Sequence, residues 1–258
     1  MKMSRWEDDL YDGAVNDIMK RLVKLYAHSA LRIKRNIEDL YNKFEVRPED
    51  LIINDLFKNN QYYKLLSFIN QELNALGAEE IKIMDKKMIG FYEYSSQMVA
   101  NQIGFQQVFE LPAQRVIHDI WCKDGKDWSD RIWSNKAVLQ ERLEQKLVDC
   151  IAGGLPKDKA VNELRDLVID GNRSSADRIV RTELTRIQNQ AKLDTYKEAG
   201  VQKYQYITTI DDRTSPECEA LDGKIFRLDE AVVGENFPPI HPNCRCTIIP
   251  IVETGRRD

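Results

Sequence analysis

The spacing of apolar residues changes once along this 258-residue chain, shortly after Gly200. Before that point, apolar residues recur at three- and four-residue steps, which is the spacing that buries one face of an α-helix. From Val201 onward, the segment VQKYQYITTI alternates and is rich in aromatic and β-branched residues, as strands are. The sequence therefore predicts an α+β protein, in which a long, mostly helical N-terminal region is followed by a small β-rich domain packed on a helix.

Glycines and prolines are predicted to divide the first half of the helical region. One long helix, or two joined end to end, is expected from Trp6 to about Phe44, and Pro48 can open the next helix. Another helix is expected from Gln61 to Leu76, with Gly77 as its C-terminal stop. The residues expected to interrupt the helical sequence between 80 and 121 are Gly90, Gly104 and Pro112.

The second half of the helical region predicts a hairpin of two helices followed by a third helix. The first helix of the hairpin ends at Gly153 and Gly154, and Pro156 begins a short partner. The segment DGNRSS is expected to be a loop, in which Ser174 or Ser175 caps the next helix. Gly200 is expected to cap the C-terminal end of that helix.

Charge and cysteine usage limit the class of protein. The net charge of −4 excludes a strongly basic surface, so that any contact with nucleic acid must be regional. No apolar run is long enough for a membrane span, and the N-terminus lacks the apolar core of a secretory signal. The five cysteines therefore suggest reduced thiols or a metal site in a protein made in the cytosol. Cys122 and Cys150 stand alone in helical-looking sequence, where small buried apolar residues are expected.

Three motifs occur in a particular order in the C-terminal half. RTE (181–183) lies on a predicted helix, DDRTSPECEALDGKIF (211–226) contains two turns, and FPPIHPNCRC (237–246) joins a proline-rich turn to two cysteines. In this order the motifs resemble the C-terminal domain of phage head morphogenesis proteins of the Mu F-like group, which are minor head proteins of tailed phages. The resemblance covers roughly residues 150 to 250.

The resemblance implies a structural virion protein and no established catalytic residues. Such a protein is made in the host cytoplasm, lies at the portal vertex inside the capsid, and acts in head assembly and in DNA packaging or ejection. The expected partners are the portal protein and the major capsid or scaffold protein, with phage DNA as a further candidate. We expect a helical region over 1–125 for portal and capsid contacts, a Mu F-like domain over 126–252, and a polar tail over 253–258.

The cysteines of the C-terminal domain have the residue types of a metal site. Thiolate and imidazole are the preferred ligands of zinc, and the domain supplies four of them, Cys218, His241, Cys244 and Cys246. Four protein ligands leave no open position for water, so that the expected Zn²⁺ is structural. Only one residue separates Cys244 from Cys246, which is fewer than is usual between zinc ligands. Alternatively, therefore, only one of the two cysteines binds the metal and the other is a packed core residue.

Two other interpretations of the cysteines are open. The thiols can be small core groups, with His241 hydrogen-bonded to the backbone. Alternatively, Cys218 and Cys244 are joined by a disulfide once the particle leaves the reducing cell. In each interpretation the segment holds together a β-rich unit that is too small to be stable alone.

The helix that precedes the β-rich domain carries a basic face. At three- and four-residue steps it presents Arg178, Arg181, Thr185, Gln188 and Lys192. This face is a candidate for contact with DNA phosphates or an acidic portal surface, and the contact residues are expected to be Arg178, Arg181, Arg186 and Lys192. The alternative is a solvated face with internal ion pairs such as Glu183 with Arg186.

A further set of polar residues is expected to be structural. Asp211, Asp212 and Arg213 are predicted to build the turn before Cys218, and Gly223 a tight turn into a strand. The competing enzyme hypothesis is a metal-dependent hydrolase or nuclease with Glu183, Asp212 and His241 as acid–base groups. The motifs that support such chemistry in known enzymes are missing, so that the sequence predicts a protein without catalytic activity.

Overall fold

The computed structural model describes residues 5–43, 60–105 and 113–252 of the chain. Pro48 and Pro112 lie outside the described residues. The helices are α1 Arg5–Lys43, α2 Gln61–Gln102, α3 Ala113–Ile117, α4 Trp128–Ala152, α5 Lys157–Glu198 and α6 Pro216–Glu219. The strands are β1 Lys203–Ile207, β2 Ile225–Arg227 and β3 Thr247–Ile251, with a 3₁₀ turn at Leu228–Glu230.

The first helix confirms the prediction of a long helix and selects one of its two forms. α1 is a single helix of 39 residues, not two joined end to end. Its predicted apolar stripe is buried, with Ile18, Leu22, Ile33 and Ile37 at 0–1% exposure. Acidic residues Glu7 and Asp8 in its first turn complement the positive end of the helix dipole.

The prediction that glycines divide the second helix is wrong. α2 passes through Gly77 and Gly90 without a break. Gly77 is buried, and a Cβ built on it would lie 2.7 Å from Cζ3 of Trp133. Gly77 is therefore explained by the close approach of an indole ring, and not by a helix end. Gly104, with φ +70°, does lie just beyond the C-terminal end of α2.

The predicted loop at DGNRSS is also wrong. α5 runs unbroken over 42 residues, and Gly171, Ser174 and Ser175 lie within it. Ser175 does not cap a helix, since its hydroxyl donates to the carbonyl of Gly171 one turn earlier. A Cβ on Gly171 would lie 3.1 Å from Cδ1 of Leu139, so that this glycine too marks close packing.

The predicted end of α5 and the predicted start of the β-rich part are confirmed. Gly200 has φ +76°, and the amide of Val201 donates to the carbonyl of Tyr196 across the helix end. β1 follows at once and is the central strand of an antiparallel sheet with the order β2-β1-β3. Gln205 faces Ile225 on one side and Ile249 on the other.

The sheet packs on α5, as the predicted fold class requires. Tyr204 and Ile248 of the sheet share one buried cluster with Leu193 and Tyr196 of the helix. Burial of these large side chains is the main stabilising contribution that a three-stranded sheet needs from a neighbouring element. The α+β class is therefore confirmed.

The chain divides into two compact units, each built from segments distant in sequence. Unit 1 comprises Met1–Ile18, Met84–Trp128 and Arg178–Asp258, and unit 2 comprises Met19–Ile83 and Ser129–Asp177. The core of unit 2 contains the amine of Lys136, which lies 2.5 Å from Oε2 of Glu80 and 2.5 Å from Oδ1 of Asn172. These pairings satisfy a charge that burial would otherwise penalise.

The two isolated cysteines have different environments. Cys150 of α4 is 1% exposed, which confirms the expectation of a small buried residue. Cys122 lies in the loop between α3 and α4 and is only partly buried, so that the expectation was wrong for this position. None of the helices in the described part of the chain combines the length and the hydropathy that a bilayer crossing would require.

Candidate metal centre

Three cysteine sulfurs meet in the interior of unit 1. Cys218, Cys244 and Cys246 are all buried, and their Sγ atoms lie within 4.8 Å of one another. Nε2 of His241 lies 3.2 Å from Sγ of Cys218. The structure thus brings three of the four predicted ligands together, from α6 and from the loop that precedes β3, and places His241 beside one of them, Cys218.

A short capped helix presents Cys218. Pro216 occupies the first turn of α6, and the hydroxyl of Ser215 accepts a hydrogen bond from the amide of Cys218. The hydroxyl of Thr208 donates to the carbonyl of Cys218 at 2.8 Å, and the hydroxyl of Tyr206 lies 3.8 Å from its sulfur. Tyr206 of β1 and Thr208, the residue that follows the strand, therefore contact both the sulfur and the carbonyl of Cys218.

The loop that carries the other ligands is held by polar residues of α5. The hydroxyl of Thr182 accepts a hydrogen bond from the amide of Asn243, which has φ +60°. The hydroxyl of Thr185 donates to the carbonyl of Cys244 at 2.8 Å, and the amide of Asn189 donates to the carbonyl of Cys246 at 3.1 Å. The sequence prediction did not include this role. The signal for it is the helical spacing of the three residues, which places their side chains on one face of α5 beside the apolar stripe.

The surroundings of His241 determine which of its nitrogens can bind a metal. Nδ1 lies 2.8 Å from the carbonyl oxygen of Pro242, which can only accept a hydrogen bond. In the neutral ring the proton is therefore on Nδ1, and the lone pair of Nε2 points toward Cys218. A backbone carbonyl that fixes the tautomer in this way is the usual second contact of a metal-binding histidine.

Hydrogen bonds among the sulfurs shift the pKa values of the three thiols in opposite directions. The hydrogen bond from Cys244 holds the pKa of Cys218 far below that of a free thiol. The pKa values of Cys244 and Cys246 are raised, chiefly because both thiols hydrogen-bond to Cys218. Three buried thiols in mutual contact form a site where a bound cation would favour their ionisation.

One sulfur–sulfur distance in the cluster matches the value expected for tetrahedral zinc coordination. Zn–S bonds of about 2.3 Å imply sulfurs about 3.8 Å apart, and Sγ of Cys218 is 3.8 Å from Sγ of Cys244. The distance from His241 to Cys218 is a few tenths of an ångström below the about 3.6 Å expected for bound nitrogen and sulfur. The buried cysteine triad could therefore hold a metal with small shifts.

Of the two other interpretations of the cysteines, packed thiols have a counterpart in the structure and a disulfide bond does not. The cluster packs against Leu221, Phe226 and Ile240, as packed thiols would. All of its cysteines are free, and the sulfurs of Cys218 and Cys244 are too far apart for a disulfide bond.

Two of the four residues predicted to contact DNA or a partner are buried. Arg186 is 2% exposed, and its guanidinium is bound by Glu183 and by the carbonyls of Val116 and Ile117. Lys192 is 1% exposed and pairs with Glu7. Neither can reach a partner at the surface, because each charge is compensated inside unit 1. Of the remaining two, Arg178 is exposed and Arg181 is half-buried.

The four residues assigned to turns lie close to the cluster in sequence and in structure. The carboxylate of Asp211 accepts hydrogen bonds from the amide of Arg213 and from the guanidinium of Arg245. The bond from Arg245 is the main reason that the pKa of Asp211 lies below its usual range. Asp212 is exposed, and Gly223 has φ +75° at the turn before β2.

The residues of the enzyme hypothesis do not form one site. Glu183 is 3% exposed, and its two oxygens accept hydrogen bonds from Trp121 at 3.1 Å and from Arg186 at 2.7 Å. Within the described parts of the chain, the cluster of potential metal ligands consists of the three cysteines and does not include Asp212. Of the two carboxylates that the enzyme hypothesis needs, Glu183 is thus hydrogen-bonded to other residues and Asp212 is exposed to solvent.

Comparison with known proteins agrees with the motifs. Residues 141–249 match the family described as Phage Mu protein F like protein, which confirms the resemblance for this part of the chain. The minor head protein GP7 of Bacillus phage SPP1 is 24% identical over 95% of this chain and 86% of its own length.

A second relative matches a smaller region. An uncharacterized protein of Haemophilus influenzae is 25% identical over 42% of this chain, which corresponds to 24% of that protein. No solved structure matches the chain significantly.

Proposed function

We propose that the protein is a minor head protein of a tailed phage, which acts in head assembly at the portal vertex. The observation that carries the proposal is the similarity to a minor head protein over nearly the whole chain, together with the Mu F-like match at the cysteine-bearing domain. In this proposal, residues 1–125 contact portal, capsid or scaffold protein, and residues 126–252 form the Mu F-like domain. Roles in DNA packaging or ejection belong to the same proposal.

The site supports attachment rather than catalysis. Its sulfurs are buried, its neighbours are apolar, and Glu183 is fully paired away from it. A DNA-binding function receives less support, because Arg186 and Lys192 are buried in ion pairs. Within the proposed function, the cysteine cluster binds Zn²⁺ through Cys218, His241, Cys244 and Cys246, and the ion fixes the loop before β3 to α6.

Elemental analysis of the purified full-length chain tests the metal. We expect about one Zn²⁺ per chain in the wild type and none in Cys244→Ser, with a loss of about 4 kcal/mol or more in the free energy of unfolding. Cys150→Ser is the matched control, since Cys150 is equally buried but outside the cluster, and it should retain the zinc. A wild-type protein without metal that is as stable as Cys244→Ser would disprove the zinc site.

Co-expression with the portal protein encoded by the same genome tests the function. We expect the two proteins to elute together in size-exclusion chromatography, and particles made without this chain to have assembly defects. The protein should show no nuclease or peptidase turnover. Turnover that is abolished by Glu183→Gln or His241→Ala would instead establish the hydrolase alternative.

A further inference from the structure

A polar cavity of about 250 Å³ lies within unit 1, beside the cysteine cluster. It is lined by one face of α5, by the N-terminal part of α1 and by the segments that follow β1 and precede β3. Cys246 forms part of its wall. Its volume is large enough for one long side chain and too small for a folded element.

One buried group in the wall lacks a hydrogen-bond partner. Gln188 is 3% exposed, and its side-chain Nε2 donates to no described protein atom. A buried donor without a partner is costly, and native proteins rarely tolerate one unless another molecule satisfies it. Gln188 lines the cavity, so that an acceptor atom placed there would complete its hydrogen bonding.

Three arginines line the same cavity, and all of them are donors. Arg245 donates to Oδ1 of Asp211 at 2.6 Å, and Arg213 lies 3.7 Å from Oδ2 of the same residue. Since each guanidinium carries five N–H groups, a single shared carboxylate leaves donors of both side chains available. Arg181 adds a third guanidinium one turn before Thr185. The wall therefore offers several N–H donors to an oxygen-rich, anionic group.

The charge of the lining favours a carboxylate over a phosphate. Asp8 and Asp12 of α1 also line the cavity. Together with Asp211, which pairs with Arg245, they supply three negative charges that balance the three positive charges of the arginines. A lining whose charges nearly cancel compensates the two charges of a dianion less well than the single charge of a monoanion. In addition, a planar carboxylate matches the fork of a guanidinium, and Asp8 and Asp12 can accept N–H groups on either side of it.

We propose that this cavity binds a carboxylate side chain of a partner polypeptide, with its oxygens on Gln188 and the arginines. Main-chain amides or basic residues of the same segment lie against Asp8 and Asp12. The choice of a polypeptide as the carrier of the carboxylate rests on the proposed assembly function. The recognition of the carboxylate itself rests only on the cavity.

The test uses a small probe and the full-length protein. N-acetyl-glutamate amide is titrated into ¹⁵N-labelled protein while the side-chain NH₂ signal of Gln188 is followed by NMR. We expect a saturable shift with a dissociation constant in the millimolar range, and binding about tenfold weaker for N-acetyl-glutamine amide, the uncharged analogue. Gln188→Leu should weaken binding about tenfold, while Gln145→Leu on the exposed face of α4 should leave it unchanged.

Arg213→Gln provides a variant that is not expected to disturb folding, because the Arg213 side chain is 77% exposed. It should weaken binding of the glutamate probe several-fold. The proposal fails if no saturable shift occurs, if the glutamine analogue binds equally well, or if Gln188→Leu and Arg213→Gln bind the probe like wild type. Tighter binding of inorganic phosphate would also overturn it in favour of a phosphate site. These results are independent of portal co-elution, so that failure of the assembly function and failure of the cavity are distinguishable.

Discussion

At the scale of single residues, unit 1 is organised around charges that are buried in pairs. The amine of Lys192 on α5 lies 2.5 Å from Glu7 of α1 and 2.6 Å from the hydroxyl of Thr247 in β3. Burial lowers the pKa of Lys192, which shows that desolvation opposes its charged form. Lys192 therefore connects α5 with α1 and β3. Burial of its charge costs free energy, and only its contacts with Glu7 and Thr247 offset that cost.

Removal of one partner of this pair should be far more damaging than removal of both. We expect Glu7→Gln to lower the free energy of unfolding by about 3 kcal/mol or more, because it leaves a buried ammonium without an anion. The double variant Glu7→Leu with Lys192→Met should be closer to wild type than the single variant. Urea unfolding of Glu7→Leu, of Lys192→Met and of the double variant completes the cycle that measures the coupling energy.

An exposed pair provides the control for that cycle. Asp17 of α1 and Lys87 of α2 lie 2.6 Å apart and are both partly exposed. Asp17→Asn should change stability by less than about 1 kcal/mol, since water screens such pairs. A loss from Glu7→Gln no larger than that from Asp17→Asn would show that the buried pair has no special energetic role.

At the scale of elements, glycine has opposite meanings at two positions of one helix. Gly77 lies under the ring of Trp133, where a Cβ would lie 2.7 Å from Cζ3. Gly90 lies on an exposed part of α2 and has no atom within 4 Å of a Cβ built on it. The same residue type therefore permits close packing at one site and only lowers helix propensity at the other.

Alanine substitution at both positions separates these effects. Gly77→Ala should destabilise the protein by about 1–3 kcal/mol, because the Trp133 ring or the helix must shift. Gly90→Ala should stabilise it by about 0.5–1 kcal/mol, through the lower conformational entropy of the unfolded chain. Thermal or urea unfolding of the two variants checks both signs. Stabilisation by Gly77→Ala would contradict the packing that the structure shows.

At the scale of the whole molecule, the region that matches the Mu F-like family, residues 141–249, has contacts that lie outside its own stretch of sequence. Arg186 is bound by the carbonyls of Val116 and Ile117, and Lys192 by Glu7. Both contacts lie within unit 1, which includes the segments 1–18 and 84–128. The boundary at residues 125 and 126 that the sequence predicted can be tested directly through these contacts.

A fragment of residues 126–252 should fold poorly when it is expressed alone. It lacks Glu7, the anionic partner of the buried Lys192, and this loss costs about 3–5 kcal/mol, which is a large part of the stability of a typical domain. It also lacks the two carbonyls that bind Arg186. We expect a broad thermal transition and poorly dispersed amide signals, and recovery of both upon co-expression with residues 1–125. A sharp transition of the isolated fragment at the wild-type temperature would instead establish 126–252 as an independent domain.

The sequence by itself determined the α+β class, the single change from helical to strand spacing, the helix end at Gly200 and the three cysteines that meet in one cluster. These features depend on local spacing, turn chemistry and ligand type, which are written in neighbouring residues. Only the tertiary structure decided that Gly77 and Gly171 lie inside helices and that Arg186 and Lys192 are buried. Only the structure revealed the hydrogen bonds of Thr182, Thr185 and Asn189 with the loop that carries Cys244 and Cys246. The cavity at Gln188 was likewise visible only in the structure. The physical reason is that burial, pairing and close approach depend on residues distant in sequence, which local patterns do not encode.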